Sequence, residues 1–386
     1  MTQRAAAQVP AAGRHAPRAG GRPIATDASD LNGGPRSTLR IGFAFNRKPD
    51  EVGSPATLPS GRTIPGNAAD LYAEWDDDVT IDAIEAALAE AGEVVRLEAT
   101  EDFPVRLKES KVDIVFNVAE GLWGPNREAH VPALCEFWGV PYTGSDPLTL
   151  ALCLDKGRAK EILAYRGIPT ADFAVLTPGD RRRETIPRLP VMVKPIHEGS
   201  SKGITQASLC RTRAAVSREV SRVWQQYGQP ALVERWLPGR EFTCAILGNG
   251  AGARVLPVVE VDFDALPGGA ERIYSYEAKW LWDRPEDPLE IFRCPAPLSR
   301  GLARQIEETV LAAYHALRCR DWARIDIRLD ARGVPHILEV NPLPGVLPDP
   351  AMNSCFPKAA RAAGMDYGSM IRGVLRAGAV RHGIAV

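Results

Sequence analysis

No Cys-x-x-Cys pair, no long apolar run, no internal repeat and no excess of one charge sign occur in this 386-residue chain. The seven cysteines are scattered and odd in number, which excludes a disulfide framework or a paired zinc site and suits small core residues of a reducing cytoplasm. Lysine and arginine number 47 against 48 acidic residues, so a formal charge of −1 offers no electrostatic case for binding nucleic acid or an anionic membrane. No segment approaches the ~20 apolar residues needed to span a bilayer. The first 38 residues lack aromatics and nearly all large aliphatics, so they cannot bury enough surface to offset chain entropy and are expected to form a disordered tail. They also lack the apolar stretch of a secretion signal. The chain as a whole is 45% hydrophobic and 25% charged, an ordinary globular composition with enough length for two or three domains.

Order is expected from Leu39, where a compact apolar strand runs to Phe45. A Pro/Gly-rich stretch follows, then helical periodicity from Val79 to Ala91, strands at Glu93–Leu97 and Val112–Phe116, a helix at Ala129–Phe137 and a short strand and turn at Val140–Gly144. Strands alternating with helices predict an open parallel α/β sheet over residues 39–146. Beyond it the texture becomes α+β. A helix at Leu148–Tyr165 precedes strands at Phe173–Leu176, Val191–Pro195, Ile204–Ala207, Ala231–Leu237, Glu241–Leu247 and Val255–Val261. Further helices are expected at Leu302–Leu317 and Tyr367–Ala377.

The most informative segments are Arg324-Ile-Asp326-Ile-Arg-Leu-Asp and Ile-Leu-Glu339-Val-Asn341-Pro, each alternating with the period of a half-buried strand. A hairpin with a four-residue loop at Ala331–Val334 sets Asp326 opposite Glu339 and Arg324 opposite Asn341, all on one face. Two carboxylates and an amide suit a hard cation such as Mg²⁺; a solvated strand face neutralised by Arg324 is the plainer alternative.

Two other segments carry possible chemistry. Val191-Met-Val-Lys194-Pro-Ile-His-Glu198-Gly199-Ser200-Ser201-Lys202-Gly203 is a strand followed by a Gly/Ser loop able to wrap phosphate oxygens, or simply a hairpin with a flexible loop. It is neither a Walker A nor a dinucleotide fingerprint. Glu234-Arg-Trp-Leu237 and Glu241 flank a Leu-Pro-Gly turn. They read either as an apolar edge for a purine with a carboxylate for ribose, or as two exposed glutamates.

Taken in order, these motifs resemble the ATP-grasp superfamily and within it bacterial D-alanine–D-alanine ligases. The resemblance is carried by Pro141-Tyr-Thr-Gly-Ser145, Cys153-Leu-Asp-Lys156, Lys194 to Gly203, Glu234-Arg-Trp-Leu237, Glu277-Ala-Lys279, Arg324-Ile-Asp326, Glu339-Val-Asn341-Pro-Leu-Pro-Gly345 and Pro357 to Met365, and it spans residues 39 to about 379. It implies a disordered tail (1–38), a Rossmann-like substrate domain (39–146), an ATP-grasp central lobe (147–236) and a C-terminal catalytic lobe (237–386). It also implies ATP as cosubstrate, two Mg²⁺ ions with Mn²⁺ as an alternative, amino-acid or amine substrates, a homodimer, a cytoplasmic location and a place in peptidoglycan synthesis.

Carried over by position, Lys156 and Lys194 resemble nucleotide and phosphate lysines, and Ser200, Ser201 and Gly203 a phosphate lid. Glu234 with the backbone of Arg235, Trp236 and Leu237 would hold adenine, and Glu241 the ribose. Asp326, Glu339 and Asn341 resemble metal ligands, Lys279 a phosphate-contacting lysine, and Arg324 with the Gly345 N–H an oxyanion hole. Glu74 would bind the first substrate's amino group, and Ser354 lies near the second substrate's carboxylate. The chain departs from the family in the amino-acid half. Trp280 stands where a tyrosine is expected, Glu120 replaces a histidine, Arg127 and Glu128 add charge, and residues 47–70 form a longer loop before Glu74. The resemblance therefore implies carboxylate–amine ligase chemistry, with D-alanyl-D-alanine as nominal product. Non-alanine substrates of a specialised pathway, or a non-catalytic ATP sensor, are the alternatives.

Overall fold

Alternation and capping chemistry account for most elements. A computed structural model describes residues 38–50, 70–180, 186–283 and 289–386. The N-terminal tail, apart from residue 38, and most of the 47–70 segment lie outside the described residues. The first sheet contains β1 (Arg40–Phe45), β2 (Glu93–Glu98) and β3 (Ile114–Asn117), all parallel, in the order β2-β1-β3. Between β1 and β2 lies α1 (Asp78–Ala89), which starts where the Asp77 carboxylate accepts from the Thr80 N–H and buries Ile81, Ile84 and Leu88 along one face. The expected strand at Val140–Gly144 contributes one parallel bridge, Val115 to Tyr142. Between β2 and β3, α2 (Phe103–Ser110) went unread, because eight residues with proline in the first turn hold too little periodicity. After β3 comes α3 (His130–Trp138).

The single helix expected over 148–165 is two, α4 (Pro147–Leu154) and α5 (Lys156–Tyr165). Asp155 separates them. Its backbone is extended and its carboxylate accepts from the Arg158 N–H, so it ends one helix and caps the next. Both helices fall within the stretch expected to belong to the central lobe. Yet Cys153, Ala159 and Leu163 pack with Phe242, Cys244, Ile325 and Ile327 of the third sheet described below.

A second, antiparallel sheet contains β4 (Phe173–Leu176), β5 (Val191–Pro195), β6 (Leu209–Cys210) and, after the helix α6 (Arg213–Tyr227), β7 (Ala231–Arg235), ordered β4-β7-β5-β6. The strand expected at Ile204–Ala207 is instead a turn and a short 3₁₀ segment, closed by a capping box from Thr205 and Ser208.

The third sheet contains β8 (Glu241–Leu247), β9 (Arg254–Val255), β10 (Val259–Val261), β11 (Phe292–Arg293) and, beyond the helix α7 (Arg300–Ala316), β12 (Trp322–Leu329) and β13 (Pro335–Asn341). Its path is β11-β10-β8-β12-β13, with β9 on β8. The strand expected over Val255–Val261 is broken at Pro257, which has no N–H to give to a ladder. Two C-terminal helices, α8 (Cys355–Ala362) and α9 (Tyr367–Arg381), join Trp322 to the first sheet, so Phe43, Ile84, Phe356, Met370 and Val374 share one core. This shared core fixes the first sheet against the third, and the cleft opens between them and the second. Among the described residues, no helix is long and apolar enough to cross a membrane.

Candidate active site

The hairpin of β12 and β13 forms one wall of the cleft. Its register places Asp326 opposite Glu339 and Arg324 opposite Asn341, as the alternation predicts. The route to that register differs. Leu329 pairs with Pro335, so the loop holds five residues, and a bulge at Leu338 restores the shift before Glu339. Without that bulge, Glu339 and Asn341 would turn into the core with Ile337. As built, Ile325, Ile327, Ile337 and Val340 are buried, while Arg324, Asp326, Glu339 and Asn341 face the cleft.

The polar atoms of this face are close together. Arg324 Nη2 lies 3.3 Å from Asp326 Oδ2 and 3.9 Å from Glu339 Oε1. The Asn341 amide nitrogen is 3.3 Å from Asp326 Oδ2 and 3.5 Å from Glu339 Oε1. Burial raises the Asp326 pKa, and the neighbouring Glu339 raises it further against the pull of Arg324. Burial also opposes ionisation of Glu339, but Lys156, Lys194 and Arg324 outweigh it and hold this carboxyl below its ordinary range. Two carboxylates and an amide converging on one strand face are an oxygen donor set of the kind that fits a hard divalent cation.

The lysines are held from behind. Lys156, at the start of α5, lies 3.6 Å from Glu339 Oε2 and donates to the Glu198 carbonyl at 2.5 Å. Lys194, ending β5, pairs with Glu234 at 2.7 Å, and Lys160 reaches the other oxygen of Glu234 at 3.0 Å. Burial is the largest influence on Glu234 and opposes its charge, yet the two ammonium groups bring its pKa down to about 2. Its carboxylate thus orients lysines. Lys160 sits one helical turn from Lys156, so the i,i+4 spacing was the signal that could have found it. Beside Glu234, the N–H groups of Arg235 and Trp236 already donate to the carbonyls of Asp172 and Pro190. The Leu237 N–H has no partner among the described residues. Glu241 accepts from Arg328 at 2.7 Å, and the Arg328 guanidinium lies over the Trp236 ring at 4.0 Å. Sequence reasoning missed Arg328 because only the sheet pairing brings it next to Glu241.

Opposite the hairpin is the loop after β5. Ser200 and Ser201 adopt φ of 51° and 60°, and Gly203 a φ of 72°. A Cβ on Gly203 would lie 2.5 Å from Pro195 Cγ, so glycine is required there. The Ser201 hydroxyl donates to the Tyr274 carbonyl at 2.8 Å, and the Trp280 indole N–H to the Ser200 carbonyl at 3.1 Å. Lys279 and Trp280 belong to a π-helical turn, Ala278–Trp282, a form common at functional sites. Burial, then Arg324, lowers the Lys279 pKa to about 8. Gly345 lines the cleft, and its N–H has no protein partner among the described residues. The Ser354 hydroxyl also lines the cleft, tied to its own loop by the Leu347 N–H at 3.1 Å.

Glu74 shows the least expected arrangement. Its Oε2 accepts from Arg127 Nη2 at 2.9 Å and from Lys202 Nζ at 2.7 Å, and Lys202 also meets Glu198 at 2.7 Å. Burial opposes the Glu74 charge, but Lys202 and Arg127 prevail and depress its pKa strongly. Neither cation was assigned a role from sequence, since they lie 53 and 128 residues from Glu74. Glu120 lines the same cleft beside Asp76 and Glu128.

Comparison with known proteins bears on this arrangement. The family described as D-ala D-ala ligase C-terminus matches residues 162–376. An uncharacterised protein of Sinorhizobium fredii is 36% identical over 310 residues, covering 78% of this chain and 88% of that protein. A D-alanine–D-alanine ligase of Bordetella avium is 35% identical over 263 residues, 68% of this chain and 76% of the ligase. In fold, the chain resembles a D-alanine–D-alanine ligase from Bacillus anthracis crystallised with ATP, with a TM-score of 0.63 over 89% of this chain and 98% of that one at 22% identity.

Proposed function

Since this chain belongs to the D-alanine–D-alanine ligase family of ATP-grasp, carbon–nitrogen bond-forming ligases, we propose that it activates an amino-acid carboxylate with ATP and joins it to an amine. The observation that carries this reading is the cleft face of the hairpin, where Asp326, Glu339 and Asn341 stand beside Arg324 and within reach of Lys156. A carboxylate is a poor acyl donor. Attack of its oxygen on the γ-phosphorus of ATP gives an acyl phosphate and ADP, and attack of the amine on the acyl carbon then gives the amide and releases phosphate.

Each residue type suits one part of this chemistry. Lys156 and Lys194, the latter held by Glu234, orient the phosphates, and the Leu237 N–H offers a donor to adenine. Asp326, Glu339 and Asn341 would hold Mg²⁺, which offsets charge on the transferring phosphoryl group. Arg324 and the Gly345 N–H are fixed donors for the oxyanion formed when the amine adds. The 198–203 loop, pinned by Trp280, Tyr274 and Glu74, keeps water from the acyl phosphate. Peptidoglycan synthesis is the setting that the family suggests.

The test is ADP release with Mg²⁺ and ATP across D- and L-amino acids and simple amines. Release with D-alanine alone supports D-alanyl-D-alanine as product, and release only with another acid rejects it. ATP binding without release across the panel favours a sensor. Glu339→Ala is expected to abolish turnover with every substrate. Near-normal rates in that variant would remove the metal assignment.

A further inference from the structure

We propose that Arg328 is a positioning residue for nucleotide recognition: its guanidinium clamps the Glu241 carboxylate, so that the chain selects a nucleoside triphosphate by its sugar hydroxyls. The inference rests on the ligase reading, which supplies the nucleotide, and adds the residue through which the sugar is read.

Arg328 follows Arg324 and Asp326 on one face of β12 and stands directly opposite Glu241 of β8. It is only 3% exposed. Its Nη1 donates to Glu241 Oε2 at 2.7 Å and its Nη2 to the Arg272 carbonyl at 2.9 Å. The guanidinium carbon lies 4.0 Å from the centre of the Trp236 ring and 5.0 Å from that of Phe263. Two hydrogen bonds and two aromatic rings, from four places in the chain, hold the guanidinium in one position.

Such an arrangement adds little to stability. The Arg328 Nε is buried with no hydrogen-bond partner. A buried ion pair is often no better for a fold than apolar residues of similar volume, and methionine would fill the space beside Trp236 without a stranded donor. What the arrangement does provide is an oriented acceptor. Glu241 gives Oε2 to Arg328, and among the described residues no hydrogen bond reaches its Oε1. Lys194, the other cation acting on Glu241, is committed to Glu234 at 2.7 Å.

The place of Glu241 says what its second oxygen meets. Glu241 lines both the cleft that holds Lys156 and Lys194 and a smaller cavity walled by Trp236, Leu237, Ile273 and Leu338. A nucleotide with its phosphates at the lysines and its base at the Leu237 N–H passes its sugar between the two. Sugar hydroxyls donate, and an ionised carboxylate accepts more strongly than a neutral group. Because Arg328 fixes this carboxylate beforehand, little side-chain freedom is lost when the nucleotide binds. Without the guanidinium, the same carboxylate would lack its cation and be free to turn.

The experiment is calorimetric titration of the full chain with ATP and with 2′,3′-dideoxy-ATP, both with Mg²⁺ and without amino acids. The parent is expected to bind ATP about ten- to a hundredfold more tightly than the dideoxy analogue. Arg328→Met and Glu241→Ala should each weaken ATP about tenfold or more while changing the analogue less than about threefold. The double variant should lose no more than either single one, because the two residues act as a unit. An arginine that only supports the fold would instead lower Tm and leave the ratio of the two affinities unchanged, which would overturn the inference. Equal binding of both nucleotides by the parent would overturn it too. If Arg328→Met does not fold, Arg328→Lys decides, since lysine keeps the charge but has neither the fork nor the flat stacking surface. Its preference should fall about threefold or more, and the full parental preference would overturn the clamp. ADP release that proceeds equally well from both nucleotides rejects this inference and leaves the ligase reading intact. A sugar preference in binding, lost in Arg328→Met, without ADP release from any compound rejects the ligase reading and leaves the role of Arg328.

Discussion

Replacing Lys202 by methionine removes the ammonium group that ties the 198–203 loop to Glu74 and pairs with Glu198 inside that loop, both at 2.7 Å. Lys202 is 5% exposed, so the lost pairing is that of a buried cation. Breaking a buried ion pair from one side costs about 3–5 kcal/mol. Here Arg127 still holds Glu74 at 2.9 Å and Gln229 still donates to Glu198 at 2.5 Å, which places the cost at the lower end. About 3 kcal/mol corresponds to about 150-fold in an equilibrium constant. The lysine sits on a loop whose backbone is already held at positive φ, so the loss should appear as loop undocking and not as global unfolding. KM for ATP in Lys202→Met is therefore expected to rise about ten- to a hundredfold, with faster amide exchange at residues 198–203. Lys202→Arg should recover part of this. An unchanged KM together with a Tm lowered by several degrees would refute the latch and make Lys202 an ordinary support of the fold. No change in either measurement would show that these ion pairs contribute nothing.

Three further outcomes follow from the geometry. Gly199→Ala would drive a Cβ into Glu74 Oε1, and the φ there needs no glycine, so KM for ATP should rise while Tm stays near that of the parent. Lys279, lowered to about 8 mainly by burial, loses its charge as pH rises through that value, so kcat/KM for ATP should fall on a limb near pH 8. Lys279→Arg should move this limb out of range, and a flat profile in the parent would contradict the assignment. The stability sign is opposite. Between about 8 and the ordinary lysine value of 10.5 the unfolded chain binds the proton that the folded one does not, so this group's contribution to stability rises with pH. Asp321, fully buried, accepts from the Gly144 N–H at 2.7 Å, Asn249 at 2.7 Å and Arg381 at 2.8 Å. Asp321→Ala is expected to cost about 3–5 kcal/mol in urea unfolding, because Arg381 is left without its charge partner; a loss below about 1 kcal/mol would refute this.

Much of the hairpin was legible because alternation is a local property. Residues two apart on a strand share a face whatever surrounds them, so Arg324, Asp326, Glu339 and Asn341 could be set on one side from sequence. Their exact pairing was reached through two compensating differences, a loop one residue longer and a bulge at Leu338. Bulges depend on what the strand packs against, and no turn motif announces them. The break between α4 and α5 had a readable cause in Asp155, a good N-cap, but the apolar residues on both sides masked it.

Local pattern thus determined the parallel first sheet, the glycine-dependent loop after β5 and the strand face that carries Arg324, Asp326, Glu339 and Asn341, since each depends on neighbours in the chain. Tertiary structure alone decided what the charged groups meet. Lys202 and Arg127 converge on Glu74 because the 198–203 loop crosses the segment that holds it, and Lys160 and Lys194 close on Glu234 because α5 lies beside the second sheet. Coulomb forces act through space, so the partners of a buried charge are set by where distant segments meet, and sequence spacing holds no record of that.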